Sequence, residues 1–426
     1  MEEKPVAICR LKRVAADLRG DISDRLPKPP GSENGKRIVC VGAGPASLTV
    51  ANDLRPLGYS VTILEAFGVG GGLMRTNIPS FRLPAEVLDE EIDVILDTGV
   101  EIHYNHRVES MKALLDEGYD AVFVGTGAPR GRNLQLPGRD DSDNIHTGIE
   151  WLESVAFGHV ESIGERVLII GVGNTAMDCC RTSLRLGAKD VKVMARKPRG
   201  FFKASDWELE DAEEEMVDIV VNHSPKAFVV EDGKLTGMLF DRMEYDLDDD
   251  GKIVDSRELG EEFFPCDDVI LAIGQDNVFP WIERDLGIEF DKWEVPAVDK
   301  VTFESTREGV FFGGDAAFGP LNIIWAVEHG HQAAISIHKY CESQPLDDRP
   351  PVGVSLSSRK MGSHEWSYHN DNNPAARRLM PHVSLKERFR KLDIEVELGF
   401  DAEQTYQEVQ RCINCDIQTV FSDKLC

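Results

Sequence analysis

Twice along this chain a short, continuously apolar strand runs into a glycine-rich turn and then a helix, and this pattern constrains the fold more than any other feature. The first copy is KRIVCVGAG, followed by PASLTVANDLRPLG and a second apolar strand, YSVTILEA. The second copy is RVLIIGVG, NTAMDCCRTSLRLG and DVKVMARK. Strands that are apolar on both faces need cover on both faces, which a parallel sheet flanked by helices supplies. Both copies are therefore read as βαβ units. The expected fold class is α/β, with two nested Rossmann-like dinucleotide-binding domains. The strand-and-glycine phrases AVFVGTGAP and GVFFGGDAA flank the second unit on either side, so one domain is expected to be discontinuous, with the other inserted into it.

In the first loop, Gly42-Ala43-Gly44-Pro45-Ala46-Ser47, one glycine suits a tight turn and the next lets the backbone approach a pyrophosphate at a helix N-terminus. Ser47 stands where Gly or Ala is usual, and it is small enough for close packing of helix on strand. Glu65 ends the following strand, where a carboxylate accepts hydrogen bonds from ribose hydroxyls. A glycine turn alone is equally well a plain turn; strand, helix, strand and acid together read as a dinucleotide site. The second loop, Gly171-Val172-Gly173-Asn174-Thr175-Ala176, lacks the acid and has Arg196 and Lys197 at the end of its next strand. Cations there suit the 2′-phosphate of NADP(H) better than the bare hydroxyls of NAD(H), the alternative being two solvated surface charges.

The length of 426 residues implies two or three domains, and 42% hydrophobic residues supply cores for them. A net charge of −28 repels nucleic-acid phosphates and anionic lipid, so neither nucleic acid nor membrane is expected as a partner. No apolar run reaches the ~18 residues of a membrane span, and the acidic start MEEKPVAICRL is unlike a signal peptide, so the cytoplasm is the expected location. Nine scattered cysteines do not form a secreted disulfide framework. Asp246, Asp248, Asp250 and Gly251 imitate a calcium loop, but Arg257 occupies the position that needs a bidentate Glu, and a hairpin turn is the better reading. Cys179 and Cys180 are adjacent on a helix and read as packing residues rather than a redox pair. The eleven histidines show no metal-binding spacing.

Two dinucleotide sites on one chain call for two ligands, and the usual partnership is a nicotinamide that gives or takes hydride with a flavin that holds it. From Lys4 to Tyr340 the chain resembles the glutamate synthase small-subunit group of FAD and pyridine-nucleotide oxidoreductases, which includes the flavin part of dihydropyrimidine dehydrogenase. PVAICRLKRVAAD, GAGPAS, GGLMRTNIPSFRLP, AVFVGTGAP, GVGNTAMD, VILAIGQ and GVFFGGDAAFGPLNIIWAVEHGHQAA carry the resemblance. It implies FAD at Gly42, Gly44, Pro45, Ala46, Glu65 and Ala66, with Gly72, Leu73, Arg75 and Ile78 beside the flavin and Gly314 and Asp315 on the ribityl-pyrophosphate part. The second loop itself, Gly171, Gly173, Asn174, Thr175 and Ala176, with Arg196 and Lys197, is read as the NAD(P)H site, while Val108, Thr126, Gly127, Gly274 and Asn322 complete the cofactor-binding set. Backbone amides after Pro320 are expected to face the flavin pyrimidine edge.

The expected organisation is an arm and linker (1–35), an FAD domain in two parts (36–145 and 276–345), an NAD(P) domain (146–275) and an accessory tail (346–426). Members of the group commonly begin with a cysteine-rich helical domain holding Fe-S clusters, and this chain starts just after where that domain would end. It carries instead Cys412, Cys415 and Cys426. The C-x2-C pair suits an Fe-S cluster or zinc, yet a closed site wants four ligands. Cys9 or a partner chain is the candidate fourth ligand, and a reduced surface pair or a remnant of a longer ancestor is the other reading.

The expected function is hydride exchange between nicotinamide and FAD, with electrons passed to or from Fe-S clusters of a partner subunit. No catalytic side chain is needed, because alignment of the two cofactors suffices. The resemblance points to a complex like glutamate synthase, and it extends to the flavin subunit of multisubunit tungsten aldehyde oxidoreductases. The alternative is a non-catalytic nucleotide-binding scaffold or sensor, against which the complete glycine loops, Glu65 and the Gly314-Asp315 pair speak.

Overall fold

A computed structural model describes residues 5–349 and 375–412. The chain divides into two compact units, the larger being Pro27–Asp347 with Leu385–Ile394. The smaller is drawn from Met1–Leu26, Asp348–Ser384 and Glu395–Cys426.

After α1 (Ile8–Asp17), which belongs to the smaller unit, the larger unit opens on β1 (Arg37–Val41), α2 (Pro45–Leu54) and β2 (Ser60–Leu64). Pro45 is the first residue of α2, where its fixed φ suits the helix and its missing N–H leaves no bond unmade. The chain continues through α3 (Leu73–Thr76), α4 (Ala85–Leu96), β3 (Glu101–His103), α5 (Met111–Asp116) and β4 (Ala121–Val124). A short β5 (Arg130–Gly131) leads to β6 (Ile145–Thr147), α6 (Gly148–Ala156), β7 (Arg166–Ile170), α7 (Asn174–Arg185) and β8 (Asp190–Met194). Next come α8 (Asp206–Glu214), β9 (Asp218–Val220), β10 (His223–Glu231), β11 (Lys234–Leu247), β12 (Ile253–Pro265), β13 (Asp268–Leu271) and β14 (Gln275–Asp276). The unit closes with β15 (Val310–Phe312), α9 (Asp315–Phe318), α10 (Ile323–Cys341) and α11 (Leu385–Arg388).

One parallel sheet has the order β15-β4-β1-β2-β3 and a second has the order β6-β13-β7-β8-β9. Because β15 closes the first sheet after the chain has built the second, the first is discontinuous in sequence. The two connections between the sheets run side by side, β5 pairing antiparallel with β14. Along β1 the two-residue period sorts the apolar side chains. Ile38 and Cys40 join a core with α2 and α10, while Val39 and Val41 join one with Phe279 and Met111 on the opposite face. Gly330 lets α10 lie against α2, because a Cβ there would come within 2.6 Å of the Ala46 carbonyl oxygen. The strands β10, β11 and β12 form a separate antiparallel sheet. In its β11–β12 turn the Asp248 carboxylate accepts from the amides of Asp250 and Lys252 at 3.1 and 2.7 Å, so this aspartate serves the hairpin.

In the smaller unit α12 (Ala402–Val409) starts with a capping box in which Asp401 and Gln404 exchange side-chain and backbone hydrogen bonds. Glu408, fully buried, accepts from the amides of Ala7 and Arg378 at 2.8 and 2.9 Å and pairs with Arg411 at 2.6 Å. Among the described residues no helix is long and apolar enough to cross a membrane.

Candidate functional site

The C-terminal ends of β1, β2, β4 and β15 bring the residues of the first loop together, at the edge where parallel α/β sheets bind ligands. Gly42 has φ +89°, and a Cβ there would come within 3.0 Å of the Gly125 carbonyl oxygen. Gly72 has φ +53°, and a Cβ on it would sit 3.0 Å from Gly44 Cα. The two glycine turns are also tied by the Gly71 amide, which donates to the Ala43 carbonyl at 2.8 Å. The result is a cradle walled by backbone at the N-terminus of α2, with Gly44 as its N-cap.

Glu65 is buried, and its carboxylate accepts from the amides of Ala43 at 2.7 Å and Phe67 at 2.9 Å. It therefore fixes the loop itself and retains lone pairs for a further donor. Ser47 is fully buried, and a Cβ on Gly125 would collide with its hydroxyl, which explains the small residue at the third position. The buried hydroxyls of Ser47 and Thr126 make no hydrogen bond. Gly314 closes the cradle, its would-be Cβ 3.2 Å from Ala46 Cβ. Burial pushes the Asp315 carboxyl up to about 6, against the Leu321 amide that donates to it at 3.0 Å.

Around this cradle Ala66, Leu73 and Ile78 are half-buried, Val108 packs under the sheet and Gly127 takes φ +69°. Arg75 is held by Asp89 and by the Gly70 carbonyl at 3.1 Å. Asn322 caps α10 by accepting from the Trp325 amide at 3.0 Å. Beside it Leu321, Ile324 and Trp325 are 52, 76 and 52% exposed, an apolar surface next to Asp315.

The second loop follows β7. Gly171, at φ +123°, passes beneath the Ala272 carbonyl, where a Cβ would collide, and Gly173 opens α7 with free space around it. Ala176 is buried, Thr175 half-buried, and Asn174 accepts from the Ser205 amide at 3.0 Å, tying the loop to the start of α8. Arg196 is exposed beyond β8 and Lys197 lies 5.4 Å from the Phe201 ring centroid. Gly274, at φ +117°, stacks against Arg132, whose amide donates to its carbonyl at 3.0 Å. Cys179 and Cys180 are buried with their thiols pushed up by desolvation, as packing residues should be. Cys412 is exposed just after α12, and Cys415 and Cys426 lie outside the described residues.

Sequence reasoning overlooked two features. His329, buried against Gly313 with Nδ1 unpartnered, has its pKa lowered by burial. The other is a set of buried arginines on α7, visible in the sequence only as Arg181 and Arg185 one helical turn apart.

Two parallel sheets, one interrupted by the other and each with a glycine turn at its ligand-binding edge, define a double dinucleotide-binding oxidoreductase fold. Residues 36–330 match the pyridine nucleotide-disulphide oxidoreductases, and the chain belongs to that family. It is 33% identical to the beta subunit of an NADP(+)-dependent formate dehydrogenase from Moorella thermoacetica, over 97% of this chain and 62% of that protein. It is 31% identical to the glutamate synthase [NADPH] small chain of Azospirillum brasilense, over 82% of this chain and 75% of that one. The chain thus spans less than two thirds of the length of the formate dehydrogenase subunit. FprA of Mycobacterium tuberculosis, solved in complex with NADPH, shares the fold at a TM-score of 0.62 and 17% identity, over 72% of this chain and 85% of that one.

Proposed function

We propose that the chain is an FAD-dependent NADP(H) oxidoreductase subunit, with FAD at the first glycine loop and the nicotinamide nucleotide at the second. The observation that carries this reading is the cradle at the N-terminus of α2, where a Cβ on Gly42 or Gly72 would press to 3.0 Å on backbone atoms and Gly44 is the N-cap. The unpartnered hydroxyls of Ser47 and Thr126 and the exposed apolar residues after Pro320 fit a dinucleotide with a flat ring system. When bound, the flavin supplies a hydride acceptor and store. The chain's own part is positional: the two loops hold their ligands' pyrophosphates, and Glu65 keeps the first loop closed. Arg196, which makes no ion pair among the described residues, and Lys197 set a preference for the 2′-phosphate.

The FAD domain comprises 36–145 and 276–345, with the NAD(P) domain 146–275 inserted. Electrons pass to or from Fe-S clusters of a partner subunit in a complex related to formate dehydrogenase or glutamate synthase, a reading supported by relatives that are themselves beta or small subunits. The free thiols of Cys9, Cys40, Cys179, Cys180, Cys266 and Cys341 suit a reducing cytoplasm. Titration of the pure yellow protein with NADPH and NADH under anaerobic conditions tests the proposal: the flavin band should bleach, more readily with NADPH. A protein that stays unbleached with both nucleotides is a scaffold or sensor, and this reading fails.

A further inference from the structure

The contact between the two nucleotide-binding folds is built on charge. Arg82, in the loop between α3 and α4, reaches across to Asp178 on α7 at 2.6 Å and to Glu208 on α8, both carboxylates being nearly inaccessible to solvent. Next to it Phe81, fully buried, lies 3.8 Å from the Arg185 guanidinium and 5.1 Å from that of Arg181. Arg181 and Arg185 both bind Glu215 just beyond α8, at 3.0 and 2.7 Å, and Arg181 also pairs with Asp211 at 3.1 Å.

A third arginine reaches the same carboxylate from far along the chain. Arg388, 1% exposed, lies 3.0 Å from Glu214 and 3.4 Å from Glu215. In the same segment Phe389 lies 5.5 Å from Arg185, and the Leu392 carbonyl accepts from Ser80 at 3.2 Å. The strap Leu385–Ile394 therefore touches both folds, although the residues on either side of it belong to the smaller unit.

Buried ion pairs add little net stability over an apolar contact but fix geometry closely, because each unpaired charge is heavily penalised. An interface made this way specifies one orientation. Glu215 has Arg181 and Arg185 as partners besides Arg388. We propose that the strap 385–394, anchored by Arg388, works with Phe81 and Arg82 as a latch that holds the two nucleotide-binding folds in the orientation required for transfer between them. The proposal rests on the oxidoreductase reading for its functional consequence and on the ion-pair geometry for the latch itself. Arg82 and Arg388 are positioning residues in it; neither is required to touch a cofactor.

The test compares full-length wild type with Arg388→Met, Arg388→Lys and Arg82→Met. Flavin content and the NADPH dissociation constant should stay within about twofold, since neither glycine loop is altered. The single-turnover rate of flavin bleaching by NADPH should fall by roughly tenfold or more in both Met variants and recover in part in Arg388→Lys. Hydrogen exchange should show 78–84 and 385–394 losing protection together in Arg388→Met, while β1 and β7 stay protected. Phe389→Ala, which keeps every charge, provides a milder release if a Met variant fails to fold. Unchanged bleaching in a variant whose strap exchanges freely overturns the latch, as does a wild-type strap that exchanges as fast as an unstructured peptide. If wild type is not bleached at all, the oxidoreductase reading fails, and joint protection of 78–84 and 385–394 still decides whether the strap holds the folds together.

Discussion

Single residues shape both glycine loops through what they leave out. Gly44→Val puts a branched side chain at the mouth of the first cradle, its Cβ 3.6 Å from the Gly125 carbonyl oxygen, and should yield folded, colourless protein. Full flavin content measured by absorbance after release would refute the assignment. Arg196→Glu should lower the preference for NADPH over NADH by about ten- to a hundredfold, the value of one charge-assisted contact, as read from dissociation constants for both nucleotides. Glu215 is the stability counterpart. Burial alone would raise its carboxyl, but Arg185 and Arg181 outweigh that and hold it down at about 2 against an ordinary 4.5. A depressed carboxylate contributes stability above its ordinary pKa and loses it as pH falls through the folded value. Wild type should therefore lose urea resistance between pH 4.5 and about 2. Glu215→Gln should be destabilised by about 3 to 5 kcal/mol at neutral pH, with that acid-dependent part removed. Asp178 and Glu208, raised by burial, act with the opposite sign and partly offset the fall.

At the scale of elements, close approach matters more than local propensity. Helices α2 and α10 come from opposite ends of the larger unit and meet where Gly330 faces the Ala46 carbonyl. Gly330→Leu should force them apart and open the first cradle from behind, costing at least the 1 to 3 kcal/mol typical of overpacking. The measurement is a lower thermal midpoint with parallel loss of flavin; a stable yellow variant would show that the helices tolerate separation. The βαβ phrases were legible in the sequence because continuous apolar strands and glycine turns are local signals, and the hairpin after Leu247 was legible for the same reason. The pairing of α2 with α10 was not, since it depends on residues nearly 300 positions apart.

At the scale of the whole molecule, the division into units leaves both glycine loops in the larger unit and α12 in the smaller. A chain truncated after Glu397 keeps the larger unit complete, including the strap 385–394, but lacks α12 and all three C-terminal cysteines. It should bind FAD and be reduced by NADPH as wild type is, while losing electron transfer to the proposed Fe-S partner. Full partner-coupled turnover by the truncated chain would place the electron outlet elsewhere. The net charge of −28 should make association with that partner weaken as salt rises.

By itself the sequence determined the two glycine loops, the parallel strands that feed them and the acid and base that follow, because each is written within about 30 contiguous residues where backbone sterics and side-chain period act directly. Tertiary structure alone decided that Glu65 closes its own loop, that Ser47 is small because Gly125 passes over it, and that Arg388 is buried against Glu214 and Glu215. Those outcomes depend on desolvation. A charge or hydroxyl is costly or useful according to what surrounds it in space, and no local pattern records which distant carboxylate will be buried beside which arginine.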